Sequence, residues 1–113
     1  FRPSQIAILS PFKDDNQLST LSRLKTIAGF PVLGNIDSIS TWQKAECIWG
    51  STTKSFKGLE AECVIITDLF DKEEMPWFTD SELYVATSRA KVKLLLQPAS
   101  HKSQDYLHKQ FEI

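Results

Sequence analysis

Between Ser51 and Glu60 the chain reads STTKSFKGLE, which packs four hydroxyls, two lysines, a glycine and a glutamate into ten residues. Lys57 supplies a compact positive charge suited to a phosphate. Glu60 can accept hydrogen bonds from a ribose hydroxyl, and Gly58 permits a sharp turn or a close backbone approach. Thr52, Thr53, Lys54 and Ser55 carry the hydroxyl and ammonium donors that a nucleic-acid backbone takes. A second stretch, LYVATSRAK over 83–91, sets Arg89 near a helix end. There its guanidinium can offer two parallel donors to phosphate oxygens. Each stretch also has a plain reading. The first can be a solvated loop with a turn-making glycine, and the second a helix end whose arginine favours the helix dipole.

Three tryptophans, Trp42, Trp49 and Trp77, have rings able to stack on bases. Trp49 falls in an apolar run and reads as core, whereas Trp42 falls in a hydroxyl-rich stretch and is the best stacking candidate. His101 and His108 have no ligand partner at useful spacing and read as surface residues. Asp71, Glu73 and Glu74 read as a solvated acidic loop rather than a cation site. Cys47 and Cys63 fit no metal spacing and lie in apolar stretches, which makes them reduced core thiols. No metal site is expected from these residues.

A chain of 113 residues is the size of one domain, enough to bury one core. At 42% hydrophobic and 24% charged the composition excludes disorder. The net charge of −1 gives no global polyanion signature, so any nucleic-acid contact must be a local groove. Nothing approaches the roughly 18 consecutive apolar residues of a membrane span, and no charged start with an apolar centre marks a signal peptide. With reduced cysteines, this leads to the expectation of a cytoplasmic location and no membrane partner. The chain opens on Phe1 rather than methionine, as a piece of a longer protein would.

The elements that must position these residues follow from the apolar pattern. Ile6–Leu9 is a continuous apolar run, as in a strand buried on both faces, and Ser10-Pro11 stops it. Asp14 with Gln17 resembles a capping box, and Leu18, Leu21, Leu24 and Ala28 then recur at helical spacing up to Gly29. Phe30–Leu33 is a short strand candidate. Gly34 to Lys44 reads as loop, with Ser38, Ser40, Thr41 and Trp42 exposed. Glu46–Ser51 and Cys63–Asp68 are further strands, and Asp71–Pro76 an acidic loop. Asp80–Ala90 reads as a helix capped by Asp80, with Leu83, Ala86 and Ala90 on one stripe. Val92–Leu96 is another strand, and Ser100–Gln110 a closing helix. Unalternating strands separated by helices predict an α/β fold with a parallel sheet flanked by helices and covered on both faces. Ligands in such sheets bind beyond the carboxyl ends of the strands, which is where the link from Thr52 to Glu60 is expected.

In this order and spacing the two stretches are more specific than either alone. TTKSFKGLEAECVII resembles motif V of superfamily 1 helicases of the UvrD/Rep type, where Thr-x-His-x-x-Lys-Gly-Leu-Glu precedes an apolar strand. LYVATSRA is similar to motif VI of that family, usually Tyr-Val-Ala-x-Thr-Arg-Ala, and QIAILSPFKDDNQLSTL is similar to the strand and helix ahead of motif V. The resemblance covers most of the chain and implies the second, C-terminal RecA-like motor domain of a P-loop NTPase, with residues 1–113 as one domain. By position it implies Arg89 as the arginine finger on the γ-phosphate of ATP, and Glu60 at the nucleotide sugar with Lys57 and Gly58 beside it. It also implies Thr52 and Lys54 facing single-stranded DNA, where the hydroxyls of Thr53 and Ser55 would add DNA-binding donors by their chemistry, and Tyr84 packed under motif VI. ATP and Mg2+ would be held mainly by the first RecA-like domain of the same chain.

The departures from the family pattern are specific. Lys54 stands where many relatives carry histidine, which keeps a donor and a charge but loses the flat ring, and Ser88 stands where threonine is usual. The motif IV signature (Asn-Tyr-Arg-Ser) is absent, as is the large insertion that relatives carry in this domain. There is no Gly-x-x-x-x-Gly-Lys-Ser/Thr phosphate loop and no acidic metal-binding motif, so this domain would hold half an active site. Two other readings stay open: a helicase-like module that binds nucleic acid or protein without turnover, and an RNA-directed or nuclease-fused relative.

Overall fold

Continuous apolar runs assemble here into one sheet. The computed structural model describes residues 1–34, 36, 38–70 and 73–99. A 3-10 turn, Pro3–Gln5, leads into strand β1, Ile6–Ser10. The other strands are β2 (Thr26–Ile27), β3 (Phe30–Leu33), β4 (Ile48–Thr52), β5 (Ala61–Leu69) and β6 (Ala90–Pro98). Two helices are described, α1 at Ile39–Ala45 and α2 at Asp80–Thr87. The strand order is β2-β3-β4-β1-β5-β6, parallel throughout except for the β2–β3 hairpin. The chain is therefore α/β with a mostly parallel six-stranded sheet. Each strand expected from the sequence is present, although β4 starts two residues later than expected, and β5 and β6 run longer at both ends.

Alternate residues of the central strands divide two cores. Ala7 and Leu9 of β1, Trp49 of β4, and Val64 and Ile66 of β5 join Trp42 of α1 and Leu83 and Ala86 of α2 on one face. Ile8 of β1 and Ile48 of β4 face the other way, against Leu21, with Leu24, Ile27 and Ile65 partly buried around them. Both described helices thus lie on one face, while the sheet is covered on both as expected. The second face is covered by the excursion between β1 and β3. It lies close to the sheet because Gly50 has no side chain: a Cβ there would meet Leu21 Cδ2 and Val32 Cγ1 at 2.9 Å.

That excursion is not the helix predicted over 14–28. It contains turns, a 3-10 turn at Thr20–Ser22, and strand β2. Short polar side chains compete for its backbone. Asn16 Oδ1 accepts the Leu18 N–H (2.8 Å), and Ser19 Oγ accepts that of Leu21 (3.2 Å). Asp68, buried at the end of β5 with a left-handed φ of 60°, takes the Thr20 N–H at 2.7 Å and the Ser10 hydroxyl at 2.6 Å. The hydroxyl of Thr20 also donates to Asp68, through Oδ1.

The expected loop over 34–44 is also corrected, because α1 occupies its end. Ser38 caps this helix by accepting the Thr41 N–H (3.1 Å), and Glu46, expected to open a strand, ends it in a left-handed conformation. For α2 the cap is Thr79 rather than Asp80, and the helix stops at Thr87, leaving Ala90 to open β6. Burial raises the Cys47 thiol above its usual pKa, with a smaller opposing effect from a backbone hydrogen bond, and both cysteines are free and buried. The closing helix, His101, His108 and Asp71 fall outside the described residues. Among the described residues no helix is long and apolar enough to cross a membrane.

Candidate functional site

The link between β4 and β5 has to carry the chain from the carboxyl end of one parallel strand to the amino end of another, passing over β1. Such crossovers usually take a dozen or more residues and a helix; here 53–60 suffice, mostly as turns. Its anchor is Phe56, fully buried in the helix-covered core with its ring perpendicular to that of Trp49 at 5.3 Å. Trp49 in turn meets Trp42 at 5.3 Å. Three aromatic side chains therefore hold the link, β4 and α1 together. The sequence reading missed Phe56, although a lone aromatic in a hydroxyl-rich link was the available signal.

Because the link crosses the sheet, the candidate residues divide between two edges, where the sequence had placed the whole link on one. Thr52 to Ser55 lie at the carboxyl edge. Thr52 Oγ1 accepts the Ser55 N–H at 3.0 Å, which leaves the hydroxyl proton of Thr52 available to an outside acceptor. The Thr53 N–H donates to Ser10 O at 3.0 Å and fixes the start of the link against β1. A cleft of about 210 Å³ there is lined by Thr52 and Ser55 together with Lys13 and Asp14. On the helix-bearing side, Thr53, Lys54 and Lys57 share a groove of about 310 Å³ with Glu82 and Val85 of α2. Lys57 thus lines the same groove as Lys54 and does not line the cleft that holds Glu60.

Gly58 has a φ of +85°, and a Cβ built there would meet nothing within 4 Å. Of the two uses expected for this glycine, the turn is the one visible in this chain.

Glu60 and Arg89 lie at the amino edge. They immediately precede Ala61 and Ala90, which are paired across β5 and β6, and the Ala61 N–H donates to Arg89 O at 3.0 Å. Glu60 lines a cleft of about 330 Å³ with Arg2, Gln5, Gln43, Glu62 and Lys91. Lys91 Nζ stands 3.7 Å from Glu62 Oε1. The Arg89 guanidinium folds back on the end of α2: Nε donates to Val85 O at 3.2 Å, and Nη2 to Ser88 Oγ at 3.0 Å. This gathers a cation and a carboxylate-lined cleft at one edge, with the arginine resting on helix-end carbonyls in the manner of the plain reading.

Two expected positions are corrected. Trp42 is 2% exposed and its indole Nε1 donates to Cys47 O at 2.7 Å, so it is core and cannot stack a base. Its sequence neighbours are polar because α1 is amphipathic and shows them to solvent. Tyr84 packs under nothing, being 72% exposed on the outer side of α2. Among the described residues no three histidine, cysteine or acidic side chains converge as a metal site would require. No protein-family model matches the chain, and no curated protein matches it.

Proposed function

We propose that this chain is the second RecA-like motor domain of a UvrD-like, ATP-dependent DNA helicase. In that reading the amino edge closes on ATP held by a first motor domain of the same protein, and the carboxyl edge grips single-stranded DNA. The observation that carries it is the β5–β6 pairing, which sets Glu60 and Arg89 side by side although motifs V and VI are far apart in sequence. The resemblance of those motifs to the helicase family assigns the pair to the nucleotide sugar and the γ-phosphate.

Negative charge develops on the oxygens of a phosphoryl group in transfer, so an arginine aimed there acts mainly in the transition state. Arg89 would leave Val85 O and Ser88 Oγ for the phosphate when the two domains close. When bound, ATP would supply the group transferred and magnesium would neutralise its charge. The phosphate loop and the magnesium ligands belong to the first domain, so residues 1–113 alone should hydrolyse no ATP. Glu60 would orient the ribose.

The test is Arg89→Ala in a protein that carries both domains. DNA-stimulated ATP turnover should fall by roughly 10³- to 10⁵-fold, with an unchanged thermal melt. Arg89→Lys should rescue little, because an ammonium cannot reproduce the planar fork. Near-normal turnover in the alanine variant would return Arg89 to its role as a helix-end charge.

A further inference from the structure

The carboxyl edge contains an aromatic feature that the helicase motifs do not include. Met75 to Phe78 form a turn closed by the Phe78 N–H donating to Met75 O at 3.0 Å, with Pro76 at the position whose φ proline pre-sets. Met75 and Phe78 are buried, 4% and 6% exposed, so both ends of the turn are fixed in the core. Trp77 at its tip is 50% exposed. Phe12 meets the indole at 5.3 Å and 81°, and Phe78 at 6.1 Å and 72°, so neither ring lies parallel over an indole face. A single exposed apolar side chain has no meaning by itself. An indole held out on a pinned, proline-stiffened turn has already lost the freedom that stacking on a base would otherwise remove.

What surrounds Trp77 points to the ligand. Phe12, which touches it, follows Ser10 by two residues, and Ser10 O accepts the Thr53 N–H at 3.0 Å. Lys13, next to Phe12, lines the cleft with Thr52, Ser55 and the carboxylate of Asp14. One edge thus combines hydroxyl donors, a lysine and an exposed indole, the components of a sequence-tolerant single-strand track.

We propose that Trp77 is the base-stacking platform of this domain, with Lys13 a second cation for the strand's backbone. The proposal rests on the DNA-gripping half of the function above and supplies the stacking residue that Trp42 cannot be.

The 113-residue chain is its own reporter. Trp42 and Trp49 are 2% and 5% exposed, so only Trp77 emission is open to quenching by a base. A fluorescein-labelled oligo(dT) at low ionic strength gives binding by anisotropy, and the unlabelled strand is followed by tryptophan emission. Binding should quench the wild type and leave the emission of Trp77→Phe unchanged while its affinity stays within about twofold. Trp77→Ala should bind about 5-fold or more weakly, and Lys13→Ala should lower the salt dependence by about one phosphate contact. An abasic strand should bind without quenching. The phenylalanine variant keeps an aromatic ring against Phe12, so it decides the outcome if the alanine variant melts early. Binding by anisotropy with unquenched wild-type emission, or with full affinity in a folded Trp77→Ala, would overturn the stacking role and leave the DNA grip standing. No anisotropy change at any concentration would remove the grip and Trp77 with it.

Discussion

In the proposed reading both edges of the sheet offer charge to a polyanion, and they do so in opposite ways. At the amino edge Glu60 and Arg89 are set by backbone pairing, and the guanidinium is occupied by carbonyl and hydroxyl groups of its own helix end. At the carboxyl edge the donors sit at the end of β4 and on the turns that follow it, and the hydroxyl of Thr52 is held by the Ser55 N–H with its proton free. The first arrangement suits a contact made only when a partner domain arrives, because Arg89 must exchange one set of acceptors for another. The second suits a grip that is always open. A β-ladder fixes position along the chain to within one residue, whereas a turn pinned by one aromatic fixes only a neighbourhood.

That contrast can be broken experimentally, and the widest separation is expected at Arg89. Arg89→Ala should cost turnover by the factor given above while single-stranded DNA affinity, measured without nucleotide, stays within about twofold. Loss of both together would mean the two edges are not independent. Next in size is Phe56→Ala. Emptying a fully buried aromatic site costs about 3 kcal/mol or more, and since Phe56 ties the link down, a denaturant melt should show that loss with DNA affinity reduced as well. A variant as stable as wild type would mean that the link is not held by this side chain. Gly58→Ala should cost about 1 kcal/mol for a left-handed residue with a Cβ, with no clash to relieve, and Gly58→Asn should cost less; equal melts for all three would remove the turn from the account. The smallest effect is at Lys54. Lys54→Ala should lower the slope of log affinity against log salt by about one phosphate contact and leave nucleotide affinity unchanged. An unaltered slope would take Lys54 out of the groove.

The cysteines give a separate check on the core that both edges share. Both thiols are buried and burial also raises the Cys47 pKa, so a disulfide-exchange reagent at pH 8 should leave Cys47 and Cys63 unmodified until denaturant unfolds the chain. Rapid labelling of Cys47 in the native state would show that the helix-covered core opens easily.

The sheet was readable from sequence because runs such as Cys63–Ile66 have no polar position, and a strand buried on both faces permits none. The connections were harder. Leu18, Leu21, Leu24 and Ala28 keep helical spacing, yet of these only Leu21 is buried, because the side chains of Asn16 and Ser19 bind the backbone that a helix would need. The candidate residues were legible as types but not as places. That the link crosses from one edge to the other follows from β4 and β5 both running parallel to β1, so it was implied by the parallel sheet rather than by anything in STTKSFKGLE. Trp42 misled because a short amphipathic helix and a polar loop have nearly the same composition. Lys13 gave no signal, as its partners Thr52 and Ser55 are distant in sequence.

Asp68 also bears on the order in which this molecule can be completed. Its bonds to Thr20 join positions 48 residues apart, so the excursion covering the second face acquires its fastening only after nearly all of β5 exists. On a ribosome, residues 11 to 27 would leave the exit tunnel well before their fastener is made. Leu21 and Leu24 would be available to chaperones for that interval, and Asp68→Ala would lengthen it, leaving the packing of Leu21 against Ile8 and Ile48 to hold the segment.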